Sequence, residues 1–166
     1  MSLDLSSSEA LLFLPFVVPI CLWVIWSDLS TMKIPNKANL ALLAVFVLLG
    51  LIVLPLGEYG WRLAQLGIVL GLAFLANLVG MMGAGDSKFL AAAAPFIAPG
   101  DTGTVLLMLA GITICAVIAH RIAKNSPLRQ MAPDWVSWTK EGKFPMGFAL
   151  GSTLVLYLGL GLVQGT

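Results

Sequence analysis

Charged side chains are scarce in this sequence: Asp, Glu, Lys and Arg make up 10% of 166 residues, against 59% hydrophobic residues. Soluble domains usually carry about 25% charged residues, so this chain has too few charges to cover a water-facing surface. The shortage excludes a soluble enzyme or binding domain. It predicts an integral membrane protein, with the lipid bilayer as a partner and no nucleic acid.

Potential metal ligands are also few. The chain has two cysteines, Cys21 and Cys115, both inside apolar segments, and a single histidine, His120. Two thiols cannot form a disulfide framework or a four-ligand zinc site, and a lone histidine without neighbouring Cys or Glu ligands makes no metal site. We therefore expect neither a metal nor another cofactor.

The N-terminus lacks the basic residues with which a cleavable signal peptide begins. Its first ten residues, MSLDLSSSEA, carry Asp4 and Glu9 but no Lys or Arg, and no small-residue cleavage site follows the first apolar run. We expect this run to be retained as a membrane span.

Long apolar stretches dominate the rest of the chain. Six can be counted, at residues 10–27, 38–56, 61–82, 87–98, 102–122 and 146–163. Five have the roughly 17–25 residues that a spanning helix needs. The fourth contains Pro95 and covers only about 18 Å as a helix. The pattern predicts an all-α bundle of about six transmembrane helices, forming one domain over residues 1–166.

Basic residues lie almost entirely on one side of this predicted topology. Eight of the nine Lys and Arg residues fall in the loops at 28–37, 83–88 and 121–145, and only Arg62 falls on the other side. Cytoplasmic loops carry an excess of such residues. We expect these loops in the cytoplasm, both termini outside it, and the protein in the inner (cytoplasmic) membrane.

Two aspartates interrupt the apolar sequence at the same predicted edge of the membrane. Asp28 ends the first apolar segment, and Asp86 precedes the fourth, within GAGD. Two neighbouring carboxyl groups can share one proton, so that one activates water while the other polarises a peptide carbonyl. The alternative is a pair of helix caps; Asp86 is a good N-cap for a helix starting at Ser87. The adjacent glycines permit unusual backbone conformations or close approach of another segment.

Three stretches resemble motifs of the type IV prepilin peptidases, a family of intramembrane aspartyl proteases. MGAGDSKFLAA is similar to the family's GxGD motif, and SDLSTMKIPN resembles its first motif, an Asp followed by Ile-Pro-Asn. GKFPMGFALG is similar to the late Pro-x-Gly that opens the last span, with Met146 where an aromatic is expected. The three occur in the family's order across residues 28–151.

The resemblance implies an aspartic endopeptidase with Asp28 and Asp86 as its catalytic pair. Residues of the same motifs would shape the site or position substrate: Gly83, Gly85, Lys88, Pro35, Asn36, Pro145 and Gly147. The substrate would be a prepilin, with a basic leader and a hydrophobic helix, cut at the cytoplasmic face. Long members of the family carry a Cys-rich insertion between the first two spans and methylate the new N-terminus. This chain lacks the insertion and resembles the short form of tight-adherence (Flp-type) pilus systems, so no methyltransferase activity is expected.

Other functions remain open at this stage. A related GxGD peptidase could act on pseudopilins or preflagellin-like substrates. From different classes, a small proton-coupled transporter would use intramembrane carboxylates as a relay, and a scaffold protein would need no glycines beside Asp86. The sequence assigns neither the acid and base roles nor the oligomeric state.

Overall fold

The framework of the protein is a set of α-helices, seen in a computed structural model that describes residues 3–140 and 142–165. The helices are α1 (Ser7–Thr31), α2 (Asn36–Val53), α3 (Leu56–Leu78), α4 (Ala84–Ala93), α5 (Thr102–Lys124) and α6 (Met146–Gln164). Short 3-10 turns occur at Ala94–Phe96, Pro99–Asp101, Pro127–Met131 and Val136–Trp138. These residues contain no strand beyond an isolated bridge between Leu3 and Gly165. The all-α prediction is confirmed.

Five of the helical segments are long and apolar enough to cross a membrane. They are α1, α2, α3, α6 and the segment Pro99–Lys124, which contains α5. Only 11% of the most apolar part of α3, and of Pro99–Lys124, is buried inside the protein. Large apolar side chains such as Phe74 and Leu107 therefore point outward, as expected where lipid replaces water. The protein is a multi-pass membrane protein.

Helix α4 is too short to span a bilayer and lies inside the bundle. It packs mainly against α3, and also against α2 and α6. Most of its apolar side chains are buried, including Phe89 and the alanines that follow Leu90. The helix starts at Ala84, with Gly83 as the extended N-cap, so the expectation that Asp86 caps it is wrong. Because the helix begins three residues earlier than expected, Asp86 lies in its first turn.

The closest helix pair, α1 with α6, depends on glycines along α6. A Cβ atom added at Gly151 would lie 3.0 Å from Ile25 Cγ1, and one at Gly161 would lie 3.1 Å from Ala10 Cβ. Small residues allow helix backbones to approach closely in membranes, where lipid removes most of the hydrophobic drive for association. This contact holds the C-terminal end of α1 against the N-terminal end of α6.

Paired buried charges close the end of the bundle where α1, α3 and α5 begin. Arg62 is fully buried and contacts Glu9 and Glu58 with N–O distances of 2.7 and 2.6 Å. Nearby, Asp101 accepts hydrogen bonds from two backbone N–H groups near the N-terminus and from the Tyr157 hydroxyl. A buried charge is costly unless it is paired, and here each has partners. A large cavity lies at the opposite end of the bundle.

Candidate active site

A cavity of about 880 Å³ opens where α1 ends and where α2, α4 and α6 begin. Asp28 and Asp86 both line it. The structure thus brings together two carboxyl groups that are separated by 57 intervening residues in sequence. Other lining residues come from all three sequence motifs: Lys33, Ile34, Asn36, Gly83, Gly85, Lys88, Phe144 and Met146. We call this space the main cavity.

Asp28 lies in the last turn of α1 and is held by the start of α6. Its side chain is buried, and the Gly147 N–H donates a hydrogen bond to Oδ2 at 2.6 Å. The first N–H groups of a helix have no partner within the helix and favour a negative charge. Pro145 is the extended N-cap of α6 and so places Gly147 in the first turn. Asp28 therefore satisfies a free donor of α6.

Gly147 leaves the space that Asp28 occupies. A Cβ atom at this position would lie 2.9 Å from both Cβ and Oδ2 of Asp28, and 3.1 Å from its Cγ. Contacts below 3.0 Å essentially never occur for real Cβ atoms. Any larger residue would displace the carboxyl group or push α1 and α6 apart.

Asp86 lies in the first turn of α4, and its carboxyl group folds back onto Gly83. The pKa of Asp86 is raised to about 6, first by burial and then by the charge of Asp28, while the hydrogen bond from the Gly83 N–H lowers it. The two carboxyl groups therefore lie close enough for the charge of Asp28 to disfavour ionisation of Asp86.

The glycines of the GAGD motif provide space rather than unusual backbone angles. Neither Gly83 nor Gly85 has a positive φ; in this region that conformation occurs at Gly80. A Cβ atom at Gly83 would lie 2.8 Å from Asp86 Oδ2, and one at Gly85 would lie 3.3 Å from Ile34 Cβ. Of the two explanations for these glycines, close approach is the one the structure supports.

The first and second motifs contact each other directly beside the aspartates. Gly85 packs on Ile34, and Lys88 Nζ donates to Asn36 Oδ1 at 3.1 Å. Between Ile34 and Asn36, Pro35 is the extended N-cap of α2 and starts that helix immediately after the turn. The Ile-Pro-Asn sequence thus aligns the start of α2 with the start of α4.

Ser27 and Met32, on either side of Asp28 at the end of α1, were missed from the sequence. Ser27 Oγ donates to the Lys33 carbonyl at 2.9 Å, and Met32 ends α1 in a left-handed conformation with φ of 57°. Before the second motif, Asn77 Nδ2 donates to the Met82 carbonyl at 2.7 Å. The position of Ser27 next to Asp28 could have pointed to a role for its hydroxyl group. No residue preference predicts the conformation of Met32, since a methionine with positive φ is uncommon.

Four lysines surround the two carboxyl groups at the cavity wall. Lys33, Lys88, Lys140 and Lys143 line the main cavity and are all exposed. None of them forms an ion pair with another residue that the structure describes. The wall of the main cavity is therefore positively charged.

The arrangement suits acid–base hydrolysis by two carboxyl groups in a water-accessible cavity. Over residues 3–140 and 142–165, no three His, Cys, Asp or Glu side chains come together in a group that could hold a metal ion. The polar groups in the cavity are instead carboxyl groups, lysine ammonium groups and backbone N–H groups.

Comparison with known proteins gives one family. No curated protein and no solved structure matches this chain. The sequence model of the type IV leader peptidase family matches residues 15–120, which is more than half of the chain and includes both Asp28 and Asp86. The resemblance seen in the motifs is therefore confirmed: this chain belongs to the type IV leader peptidase family and is a membrane protease of that kind.

Proposed function

We propose that this protein is an aspartic endopeptidase that removes the leader peptide of a prepilin, with Asp28 and Asp86 as its catalytic pair and no metal or other cofactor. The observation that carries the proposal is the position of the two carboxyl groups on one cavity, close enough for the charge of Asp28 to raise the pKa of Asp86. Family membership favours a peptidase over a proton-coupled transporter with the same pair.

The reaction follows from one proton shared by two carboxyl groups. The ionised carboxylate removes a proton from a water molecule, whose oxygen attacks the peptide carbonyl carbon. The protonated carboxyl group donates its hydrogen to the carbonyl oxygen as that oxygen becomes tetrahedral. The carboxyl group that took the proton from water then transfers it to the peptide nitrogen. The C–N bond breaks as one hydroxyl of the tetrahedral intermediate returns its proton to the other carboxylate. The products are a carboxylic acid and an amine, and the pair again holds one proton.

The substrate implied by the family has a basic leader before its hydrophobic helix. The four lysines at the wall of the main cavity would repel basic side chains held inside it. We therefore place the leader outside the mouth, in water or against the membrane surface. Only the segment around the scissile bond enters the cavity.

A lateral groove beside the main cavity is where we place the hydrophobic helix of the substrate. The groove has a volume of about 390 Å³, lies between α2, α3 and α4, and shares Asn36 and Lys88 with the main cavity. Most of its lining is apolar: Leu40, Leu43, Leu66, Leu70, Ala91 and Ala92. Asn39 also lines it, with both amide atoms buried and without a partner among the described residues. The first N–H groups of a substrate helix, which have no partner within the helix, would supply a donor to the Asn39 side-chain oxygen.

The cytoplasmic orientation can be tested by cysteine labelling. In a Cys115→Ala background, we expect cysteines at Ser30 and Gln130 to react with impermeant reagents only from the cytoplasmic side, and one at Gly57 only from outside. The reason is the concentration of Lys and Arg at the end of the bundle that holds the main cavity. Labelling of the Ser30 position from outside would place the cavity on the wrong face.

The short connection between α1 and α2 supports the short form of the family. Only residues 32–35 separate the two helices, where the long form carries its Cys-rich insertion. We therefore propose leader cleavage without N-terminal methylation, on an Flp-type pilin. Pseudopilins and preflagellin-like proteins present the same kind of leader and helix, so co-expression with each type of precursor would identify the substrate.

The central experiment is removal of each carboxyl group. We expect Asp28→Asn and Asp86→Asn each to lower the rate of prepilin cleavage by at least about a hundredfold at equal expression, because the mechanism needs both groups. Asp134→Asn is the matched control, since Asp134 is an exposed aspartate of the loop after α5 that lies outside the main cavity. Wild-type activity should survive EDTA. Substantial cleavage by either catalytic variant would remove that residue from the pair.

A further inference from the structure

A second polar pocket lies beside the main cavity, at the C-terminal end of α5. It has a volume of about 330 Å³ and is lined by α5 together with Ser137, Lys140, Gly142, Lys143 and Phe144. Its lining includes four cationic side chains: Arg121, Lys124, Lys140 and Lys143. We call it the basic pocket. The pocket's α5 residues, which include His120, and Ser137 play no part in the proposed cleavage.

The charge of the basic pocket is not balanced by the surrounding protein. None of its four cations forms an ion pair with a residue that the structure describes. Glu141, next to Lys140 in sequence, lies outside the described residues; even if its full charge is subtracted, three positive charges remain. Like charges held together repel one another, and a bound anion relieves that repulsion.

Two buried polar side chains in the same pocket also lack partners. The Ser137 hydroxyl is almost fully buried, and neither it nor His120 Nε2 has a hydrogen-bond partner among the described residues. The His120 ring stacks on Trp138 at 4.9 Å and meets Phe144 edge-on, so its orientation is set by packing. Buried polar groups are normally hydrogen-bonded. A ligand with several acceptor oxygens would satisfy both.

We propose that the basic pocket binds the phosphate group of an anionic phospholipid. A phosphate supplies the negative charge that the cations lack, and its oxygens accept hydrogen bonds from Ser137 and His120. Large apolar side chains near the pocket's α5 residues in sequence are exposed: Ile118 and Ile122 on α5, and Leu128 and Met131 on the following 3-10 turn. They offer a surface for acyl chains, which favours a membrane lipid over free phosphate as the source of the anion.

The experiment measures lipid retained by the purified protein. Protein would be exchanged into mixed micelles of phosphatidylglycerol and phosphatidylcholine with identical acyl chains, and the bound lipid counted by native mass spectrometry. We expect wild type to retain phosphatidylglycerol preferentially. The double variant Arg121→Gln/Lys124→Gln should bind it on the order of twentyfold more weakly, since each removed charge near a membrane surface costs about fivefold. Ser137→Ala should weaken binding several-fold without changing the charge.

The control is Arg129→Gln, which removes a basic residue from the same loop region but not from the basic pocket. It should bind phosphatidylglycerol as wild type does, and thermal unfolding would confirm that every variant is folded. Equal retention of the two lipids by wild type would overturn the proposal, as would an equal loss in Arg129→Gln. Unchanged binding in Ser137→Ala would show that the Ser137 hydroxyl does not bind the phosphate. Displacement of the lipid by an equal concentration of inorganic phosphate would overturn the assignment to a lipid.

Discussion

The contact between Gly147 and Asp28 allows the site to be tested without removing a carboxyl group. In Gly147→Ala, the new Cβ atom would lie 2.9 Å from Asp28 Oδ2, against the 3.4 Å at which ordinary contact begins. The carboxyl group must therefore move by about 0.5 Å, or the 2.6 Å hydrogen bond from the Gly147 N–H must lengthen. Either change misplaces Asp28 while its charge and chemistry stay the same.

The expected loss of rate follows from that displacement. A shift of about 1 Å at a reacting centre can cost on the order of a hundredfold in rate. A shift of half that size then costs about tenfold, or about 1.4 kcal/mol of activation free energy. The assay is the rate of cleavage of a prepilin by purified enzyme in detergent, under single-turnover conditions, so that product release does not hide the chemical step.

Gly151→Ala is the matched control, one helical turn further along α6. Its Cβ atom would meet Ile25 Cγ1 at 3.0 Å and the Cys21 carbonyl at 3.3 Å, so it also strains the α1–α6 contact but touches no carboxyl group. We expect both variants to lose stability by about 1–3 kcal/mol, and only Gly147→Ala to lose about tenfold in rate. Equal rates in the two variants would refute the assignment of Gly147 to the positioning of Asp28.

Three further predictions concern the second aspartate, the GAGD glycines and the lateral groove. Asp28→Asn should lower the pKa of Asp86 from about 6 but leave it above its ordinary value, because burial is the larger cause and remains. An unchanged infrared titration of the Asp86 carboxyl group would show that the two groups do not interact. Gly83→Ala should lower cleavage because its Cβ would lie 2.8 Å from Asp86 Oδ2, whereas Gly71→Ala, with nothing within 4 Å, should remain active at equal abundance. Asn39→Leu should raise the unfolding temperature, since an unpaired buried polar group costs about 1–3 kcal/mol. The same variant should raise KM for prepilin. A stabilised variant with unchanged KM would place the substrate outside the groove.

The all-α membrane architecture could be predicted from the sequence because it depends on composition and segment length. Few charges and five long apolar runs leave a helical bundle as the arrangement that satisfies backbone hydrogen bonds in lipid. The boundaries of α4 were less predictable. Gly83 can end a loop or start a helix, and the choice depends on its fit against Asp86 and on the packing of Gly85 against Ile34.

The burial of the charged groups around Arg62 was also not predictable from the sequence. In the sequence, Arg62, Glu9 and Asp101 stand at or just before the start of an apolar stretch, and nothing there indicates that they are buried. In the structure all three are buried, and each is paired with a charge or with hydrogen-bond donors. Burial of a charge depends on which partners the fold brings near it, and these partners are distant in sequence.

By itself, the sequence determined the class of protein, the segments that can cross a membrane, and the motifs in which Asp28 and Asp86 stand. These properties depend on local residue patterns, and the family match over residues 15–120 rests on them. Only the tertiary structure decided that Gly147 donates to Asp28, that Lys88 bonds to Asn36, and that both aspartates line one cavity. Such contacts are set by how closely α1, α2, α4 and α6 approach one another, and that distance depends on side-chain packing across the whole bundle.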